Sequence, residues 1–230
     1  MGETFREGNN LIPEGFEASL SQGRLMKKRH LAILLSQLKP NPKPKLRWEA
    51  YTIDAESAAE IAYIAFLNGD IEGKKVVDLG CGSGILGIAA SLLGARMVLG
   101  IDIDKSAVKT AALNAKMVNA KMELVAGDIE CIIGEFDTTL MNPPFGTWKR
   151  GADVKFLKKA LQISNVVYSL HKRSNPVRRF LKEKIPKIMG RIDWRKEMEL
   201  IIGRVYSFHR KRRYRVSADL YRITRLKTEK

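Results

Sequence analysis

From Lys75 to Ser169 the chain repeats one pattern, a short apolar run followed by a longer segment whose apolar residues recur every three or four positions. Lys75–Leu79, Met97–Ile101, Met122–Ala126, Thr138–Met141 and Asn165–Ser169 have strand length, and Ile85–Leu93, Lys105–Val118 and Ala152–Gln162 have helical spacing. Successive strands joined through helices run parallel, so the pattern predicts an α/β fold with a mostly parallel sheet and helices on both faces. Two later runs, Glu197–Ser207 and Ser217–Thr224, flank the basic stretch Arg210–Arg215 and predict a closing C-terminal antiparallel hairpin, making seven strands.

Ahead of this core, Asp54 reads as the N-cap of a helix over Ala55–Leu67, and Leu31–Leu38 as a short apolar helix. Between them the three prolines of Lys39-Pro-Asn-Pro-Lys-Pro-Lys45 demand an extended connector. This divides the chain into an N-terminal extension, 1–45, and a single domain, 46–230. Residues 1–25 read equally as an extension ahead of a start at Met26 or as a short capping segment; they lack the pattern of a secretory signal. No apolar run approaches the roughly 18 residues that span a bilayer, which predicts a soluble, cytoplasmic protein without membrane attachment. Cys81 and Cys131 form no CxxC pair, and His30, His171 and His209 lie far apart, so reduced thiols and no metal site are expected.

Charge is distributed unevenly. Lys149–Lys230 holds 25 Lys/Arg against 7 Asp/Glu, while residues 1–148 hold 16 against 18, so the net +16 comes from the C-terminal third. Clustered cations suit a polyanion, because neutralising phosphates releases counterions; the alternative is a solvated basic face. Lys149, Arg150, Lys172, Arg173, Arg178, Arg179, Arg210, Lys211, Arg212 and Arg213 are the candidate phosphate contacts.

In Val76-Val-Asp-Leu-Gly-Cys-Gly-Ser-Gly84 an apolar strand enters a glycine-rich turn and then a helix, which gives a ligand close access to backbone amides. Gly82–Gly87 also spells G-x-G-x-x-G, but a dinucleotide turn places its first glycine directly after the strand, and here Asp78 ends the strand before Gly80. Asp78–Gly84 instead closely resembles motif I of the class I S-adenosylmethionine methyltransferases, a Rossmann-like fold. Asp102 stands one βα unit downstream, where a carboxylate accepts both ribose hydroxyls, and Asp128 stands after the third strand, where that family has an acceptor for the adenine amine. The resemblance implies S-adenosyl-L-methionine as cofactor, with Tyr51, Asp78, Gly80, Gly82, Ser83, Ile85, Asp102, Ile103, Asp128 and Ile129 around it.

Asn142-Pro143-Pro144-Phe145 follows the fourth strand at the carboxyl edge, where open α/β sheets bind ligands. The lone pair of an exocyclic base amine is delocalised into its ring. If the Asn142 side-chain oxygen and the Pro143 carbonyl accept the two amine hydrogens, the nitrogen is drawn toward sp3 geometry and becomes nucleophilic. The prolines hold these acceptors in place beforehand, and Phe145 can stack on a base removed from its helix or loop. The string resembles the [DN]-P-P-[YFW] signature of amino methyltransferases, which names the nucleophile class and leaves the substrate open.

Several further stretches resemble one group, the methyltransferase-like protein 5 family, over residues 30 to 225: Pro44-Lys45 with Glu49 and Tyr51, Gly100–Asp104, Met141–Thr147, Ala152-Asp153 with Phe156-Leu157, Val167–Lys172 and Tyr206–His209. The resemblance implies methyl transfer to adenosine N6 in small-subunit ribosomal RNA. It also implies, from eukaryotic members, a possible small zinc-containing activator protein paired with a sheet edge. One segment departs from the family's usual Glu-Gln-Tyr-Pro-Thr: Glu49-Ala50-Tyr51-Thr52-Ile53 places Ala50 and Ile53 at polar, cofactor-holding positions. Either Thr52 compensates after a local shift, or cofactor affinity is weaker, or substrate choice has diverged. The rival readings are an N2-guanine RNA methyltransferase and a catalytically silent RNA-binding protein on the same scaffold.

Overall fold

The computed structural model describes residues 26–42, 53–144, 151–203 and 213–226. Its elements in chain order are α1 (Lys28–Ser36), α2 (Ala55–Leu67), β1 (Lys75–Leu79), α3 (Ile85–Leu92), β2 (Met97–Asp102), α4 (Lys105–Met117), β3 (Glu123–Ala126), β4 (Phe136–Met141), α5 (Ala152–Ile163), β5 (Ser164–Lys172), α6 (Asn175–Lys187), β6 (Gly190–Gly203) and β7 (Arg213–Arg225). The strands form one sheet in the order β3-β2-β1-β4-β5-β7-β6, with β7 antiparallel to both neighbours and all other pairings parallel. The fold expected from the alternation is the one observed, a mostly parallel seven-stranded sheet closed by an antiparallel C-terminal hairpin.

Central strands are apolar on both sides because both sides are covered. Val76, Leu140, Tyr168, Leu170 and Leu220 face one way, into a core completed by α1 to α4 through Leu31, Leu35, Ile61, Ile88 and Ala115. Their neighbours Val77, Met141, Val167 and Ile223 face the other way, onto Leu157 and Leu161 of α5 and Leu181 and Ile185 of α6. Helix α1, expected as part of an extension, thus packs into the main core. Among the described residues no helix is long and apolar enough to cross a membrane.

Helix α6 has no counterpart in the sequence expectations. Its first turn is capped by Ser174, whose Oγ accepts from Val177 N at 3.4 Å, and it carries Pro176 at its start and Pro186 near its end. Strand β6 begins earlier than expected, at Gly190, and its charged residues are balanced within the fold. Arg173 donates to Glu197 (2.8 Å) and is also bonded to Glu199, and Arg178 forks onto both oxygens of the buried Asp219 (2.7 and 2.8 Å) and reaches Glu197 (2.7 Å). Arg173 and Arg178, candidates for phosphate contact, are therefore engaged by carboxylates of the fold.

A second network closes the opposite end of the sheet. Tyr168, fully buried, donates to Asp70 Oδ2 at 2.6 Å, and Arg222 spans Asp70 (2.9 and 3.2 Å) and Asp193. Removing the cation leaves Asp70 with only the Tyr168 hydroxyl and Asp193 with only Arg191 and Thr224, two largely enclosed carboxylates short of positive charge, which costs far more than an exposed pair is worth. Arg222→Ala is expected to lower unfolding free energy by about 3–5 kcal/mol in urea titrations.

Candidate active site

Register places the functional residues. Asp102 pairs with Ala126, Leu79 with both Ile101 and Met141, and Met141 with Ser169. The parallel strands therefore end on one edge, and the segments that follow them, Gly80–Gly84, Ile103–Asp104, Gly127–Asp128 and Asn142–Pro144, lie side by side. The order reverses between β1 and β4, since β2 and β3 extend to one side and β5 to the other. This switch point is where an open α/β sheet forms its crevice.

The turn after β1 is folded over the end of β2. Gly80 N and Cys81 N both donate to the Ile101 carbonyl, at 2.8 and 2.9 Å. That sharp departure needs a left-handed residue, and Gly80 has φ +72°; a Cβ there would also stand 2.9 Å from Phe156 Cε1 of α5. Gly82 N then donates to Asp102 Oδ2 at 2.8 Å, and Asp104 N donates to Asp102 Oδ1 at 2.8 Å. Each oxygen of Asp102 keeps a lone-pair direction beyond its backbone partner, and the residue remains half-buried at the rim. Burial is the main force raising its carboxyl above the ordinary carboxylate range, against the opposing pull of the two amides.

Asp78 is placed differently. It is 2% exposed, and its Oδ2 accepts from Gly87 N, in the first turn of α3, at 2.8 Å. It joins strand, turn and helix from beneath. Burial pushes its carboxyl up to about 7, partly offset by the Gly87 amide and reinforced by the Asp102 charge. Asp128 is the most exposed of the three acids. Its Oδ1 caps the short 3-10 turn Ile129–Cys131 by accepting from Glu130 N at 3.0 Å, and Lys155 of α5 reaches both of its oxygens at 2.8 and 2.9 Å. Ile129 is buried beneath it, whereas Ile103 is 48% exposed beside Asp102. Ser83 and Ile85 are buried at the turn and the start of α3.

Asn142, Pro143 and Pro144 continue β4 out of the sheet, with Pro143 buried and the other two half-buried. The motif thus stands beside Gly80, which follows Leu79, the partner of Met141. Tyr51, Phe145, Lys149, Arg150, Arg210, Lys211 and Arg212 lie outside the described residues, as does the side chain of Arg213. Lys172 and Arg179 are exposed. Ile53, at a position that is polar in the resembling family, is 4% exposed and packed in the core. The next residue, Asp54, caps α2 and accepts from Ile201 N of β6 at 2.8 Å, so the incoming segment is anchored.

Sequence reasoning missed His171 and Asn114 as components of this edge. His171 is 2% exposed, bonded through Nε2 to Ser169 Oγ at 2.8 Å, and set edge-on to Tyr221. It lies in the Val167–Lys172 stretch that carries the family resemblance, but beyond the expected end of the strand at Ser169, so its burial was not read from the sequence. Burial pushes it down to about 4, opposed by the Asp219 charge. Cys81 is buried and Cys131 exposed, and both are free thiols.

His171 and Asp78 act on stability in opposite senses. A histidine with a depressed value is protonated more readily when unfolded, so its contribution is present above about 6.5 and is lost as pH falls toward 4. A carboxyl with a raised value is protonated more readily when folded, so its contribution is present at acid pH and is lost as pH rises from 3.8 toward 7. Over this shared window His171→Gln should remove a rise in stability with pH and Asp78→Asn should remove a fall, each roughly 3–4 kcal/mol in full. Urea titrations of both variants from pH 4.5 to 7.5 check this through the slope relative to wild type.

Comparison with known proteins supplies the family. The family profile of ribosomal protein L11 methyltransferase (PrmA) matches residues 64–142, the stretch from α2 to the Asn142 turn. The rRNA N(6)-adenosine-methyltransferase Mettl5 of Drosophila melanogaster is 37% identical over 207 residues, spanning 86% of this chain and 96% of that protein. Its counterpart in Danio rerio is 35% identical over 214 residues, spanning 86% and 99%. The crystal structure of a proposed RNA methyltransferase from Pyrococcus horikoshii shares the fold with a TM-score of 0.82 and 38% identity, covering 88% of this chain and 99% of that one. With such identity over nearly the full length of its relatives, and with the glycine turn and Asn142-Pro-Pro motif set side by side, this chain belongs to the methyltransferase-like protein 5 family of rRNA N6-adenosine methyltransferases.

Proposed function

We propose that the chain transfers a methyl group from S-adenosyl-L-methionine to the exocyclic N6 amine of an adenosine in small-subunit ribosomal RNA. The observation that carries this reading is the register that sets Asn142-Pro143-Pro144 beside the Gly80 turn, at the switch point of the sheet. The residues fit the cofactor. Gly82 leaves open space where a side chain would stand, Asp102 offers two oxygens at the rim, and Ile103, exposed beside Asp102, is assigned with Ile129 to the adenine ring. Bound cofactor supplies an electrophilic sulfonium methyl group.

The protein supplies the rest. Asp102 accepts from ribose hydroxyls while the Gly82 and Asp104 amides hold it in place. Asp128, oriented by Lys155, meets the cofactor's adenine amine, and Asp78 maintains the turn from inside through Gly87. Asn142 and the Pro143 carbonyl accept hydrogen bonds from the two N–H groups of the substrate amine and direct its lone pair outward; Phe145 stacks on the base. The amine's surplus proton leaves to solvent after transfer. The N2-guanine alternative uses the same acceptors, and product identity separates the two.

RNA approach is assigned to exposed cations, of which Lys172 and Arg179 stand at the end of β5 and the start of α6. They act on phosphates and position the RNA without reading its sequence. The place of action is the cytoplasm, with ribosomal RNA. The sheet leaves β3 and β6 as its edges, and a small zinc-containing activator protein pairing with one of them is the proposed protein partner.

Methyl transfer from labelled cofactor to ribosomal RNA, with nucleoside mass spectrometry, tests the reaction. Wild type should yield N6-methyladenosine, and Asn142→Ala should lose transfer by about 10²-fold or more while still binding cofactor. N2-methylguanosine as the product would transfer the assignment to the guanine reading, and bound cofactor without transfer would favour the silent scaffold or a missing partner. For the RNA surface, Lys172→Ala with Arg179→Ala should weaken RNA binding and flatten its salt dependence by about two phosphate contacts, leaving the melting temperature unchanged. Arg178→Ala should instead lower the melting temperature.

A further inference from the structure

Helix α4 presents a polar residue to the interior. Asn114, 1% exposed, donates from Nδ2 to the carbonyls of Ser83 and Lys39, both at 2.9 Å, and accepts on Oδ1 from Lys39 N at 2.9 Å. One amide side chain therefore bonds the glycine turn and the proline-rich connector together. The connector is held at a second point, where Asn41 Oδ1 lies 3.4 Å from Ser106 Oγ and Asn41 Nδ2 lies 3.5 Å from Asp104 Oδ2. Asp104 caps α4 by accepting from Ser106 N at 3.0 Å, and its own amide donates to Asp102. Both attachments of residues 39–42 thus lead directly to groups that shape the carboxyl edge, Ser83 in one case and Asp102 in the other.

The helix itself gives no reason for an asparagine here. Alanine would favour helix more, and a buried amide is tolerated only when its donors and acceptor are matched. All of these requirements are met by backbone groups outside the helix. We propose that Asn114 is a positioning residue for the cofactor, a latch that ties the connector to the glycine turn so that ordering one orders the other. This rests on the reading of the carboxyl edge as the cofactor site. The latch fixes residues 39–42 beside that site, and a ligand that immobilises Ser83 also restrains Lys39.

Hydrogen exchange on the wild-type chain tests the coupling without any substitution. Saturating S-adenosylhomocysteine should slow the Lys39 amide about tenfold together with residues 80–84, the factor that one ordinary hydrogen bond makes. Protection of residues 80–84 with an unchanged Lys39 amide would overturn the proposal. Asn114→Ala should raise KM for the cofactor about tenfold while kcat at saturating cofactor stays within about twofold. A lower melting temperature with unchanged KM would show that Asn114 only fills the interior, which also overturns it. Absence of S-adenosylhomocysteine binding by the wild type in calorimetry would bring down the cofactor reading and this proposal with it, a failure distinct from normal binding with an uncoupled connector.

Discussion

A single carbonyl fixes the geometry of this edge. By accepting from both Gly80 N and Cys81 N, the Ile101 oxygen ends β1 as a strand and folds the next residues across the end of β2. Gly82 N is thereby brought to Asp102, α3 starts at Ile85, and Gly87 comes within reach of Asp78. A straight continuation of β1 would satisfy none of these groups. The positive φ of Gly80 is the local condition for the bend, and the Phe156 ring against it means that α5 also depends on the absence of a side chain there.

The three acidic residues at the strand ends share a chemistry but differ in solvation, and solvation separates their roles. Asp78 lies inside and is so poorly solvated that proton uptake competes with ionisation near neutrality; it suits holding a helix to a turn. Asp102 lies at the rim, where burial raises its carboxyl and two amides oppose that rise, yet it is open enough to accept from a ligand. Asp128 lies furthest out, where Lys155 compensates its charge and costs it little flexibility. The gradient follows from strand position: β1 is central in the sheet, β2 is next, and β3 is its edge.

Much of this was legible in the sequence because parallel strands buried on both faces read as near-continuous apolar runs rather than alternating ones, a pattern that loops and surface helices do not imitate. Val76-Val77 and Leu140-Met141 each face opposite cores, so both members are apolar. The hairpin was legible only in part. Along β6, Asp193, Arg195, Glu197 and Glu199 look like solvated residues in one dimension, although they answer Arg222, Asp219, Arg178 and Arg173 across the sheet. Helix α6 escaped for a related reason: Arg178 spends its charge on an internal partner, and only Leu181 and Ile185 mark its buried face. Asn114 was invisible because its partners are backbone groups, which carry no residue-type signal.

Among the described residues, the basic side chains of the C-terminal third therefore divide into two populations with different physics. Arg173, Arg178 and Arg222 are neutralised by carboxylates of the hairpin and, for Arg222, by Asp70 ahead of β1, so they hold the antiparallel strands against the parallel sheet and add little to the field outside. Lys172 and Arg179 are their immediate sequence neighbours and point to solvent. A phosphate approaching the carboxyl edge meets the second population without displacing the first. Because an arginine already forked onto a buried carboxylate such as Asp219 would have to abandon that charge to reach a ligand, the cost of recruitment exceeds what a single phosphate contact returns. Net charge alone thus overstates the surface available to RNA, and the placement of the carboxylates on β6 and β7 determines which cations remain to meet it.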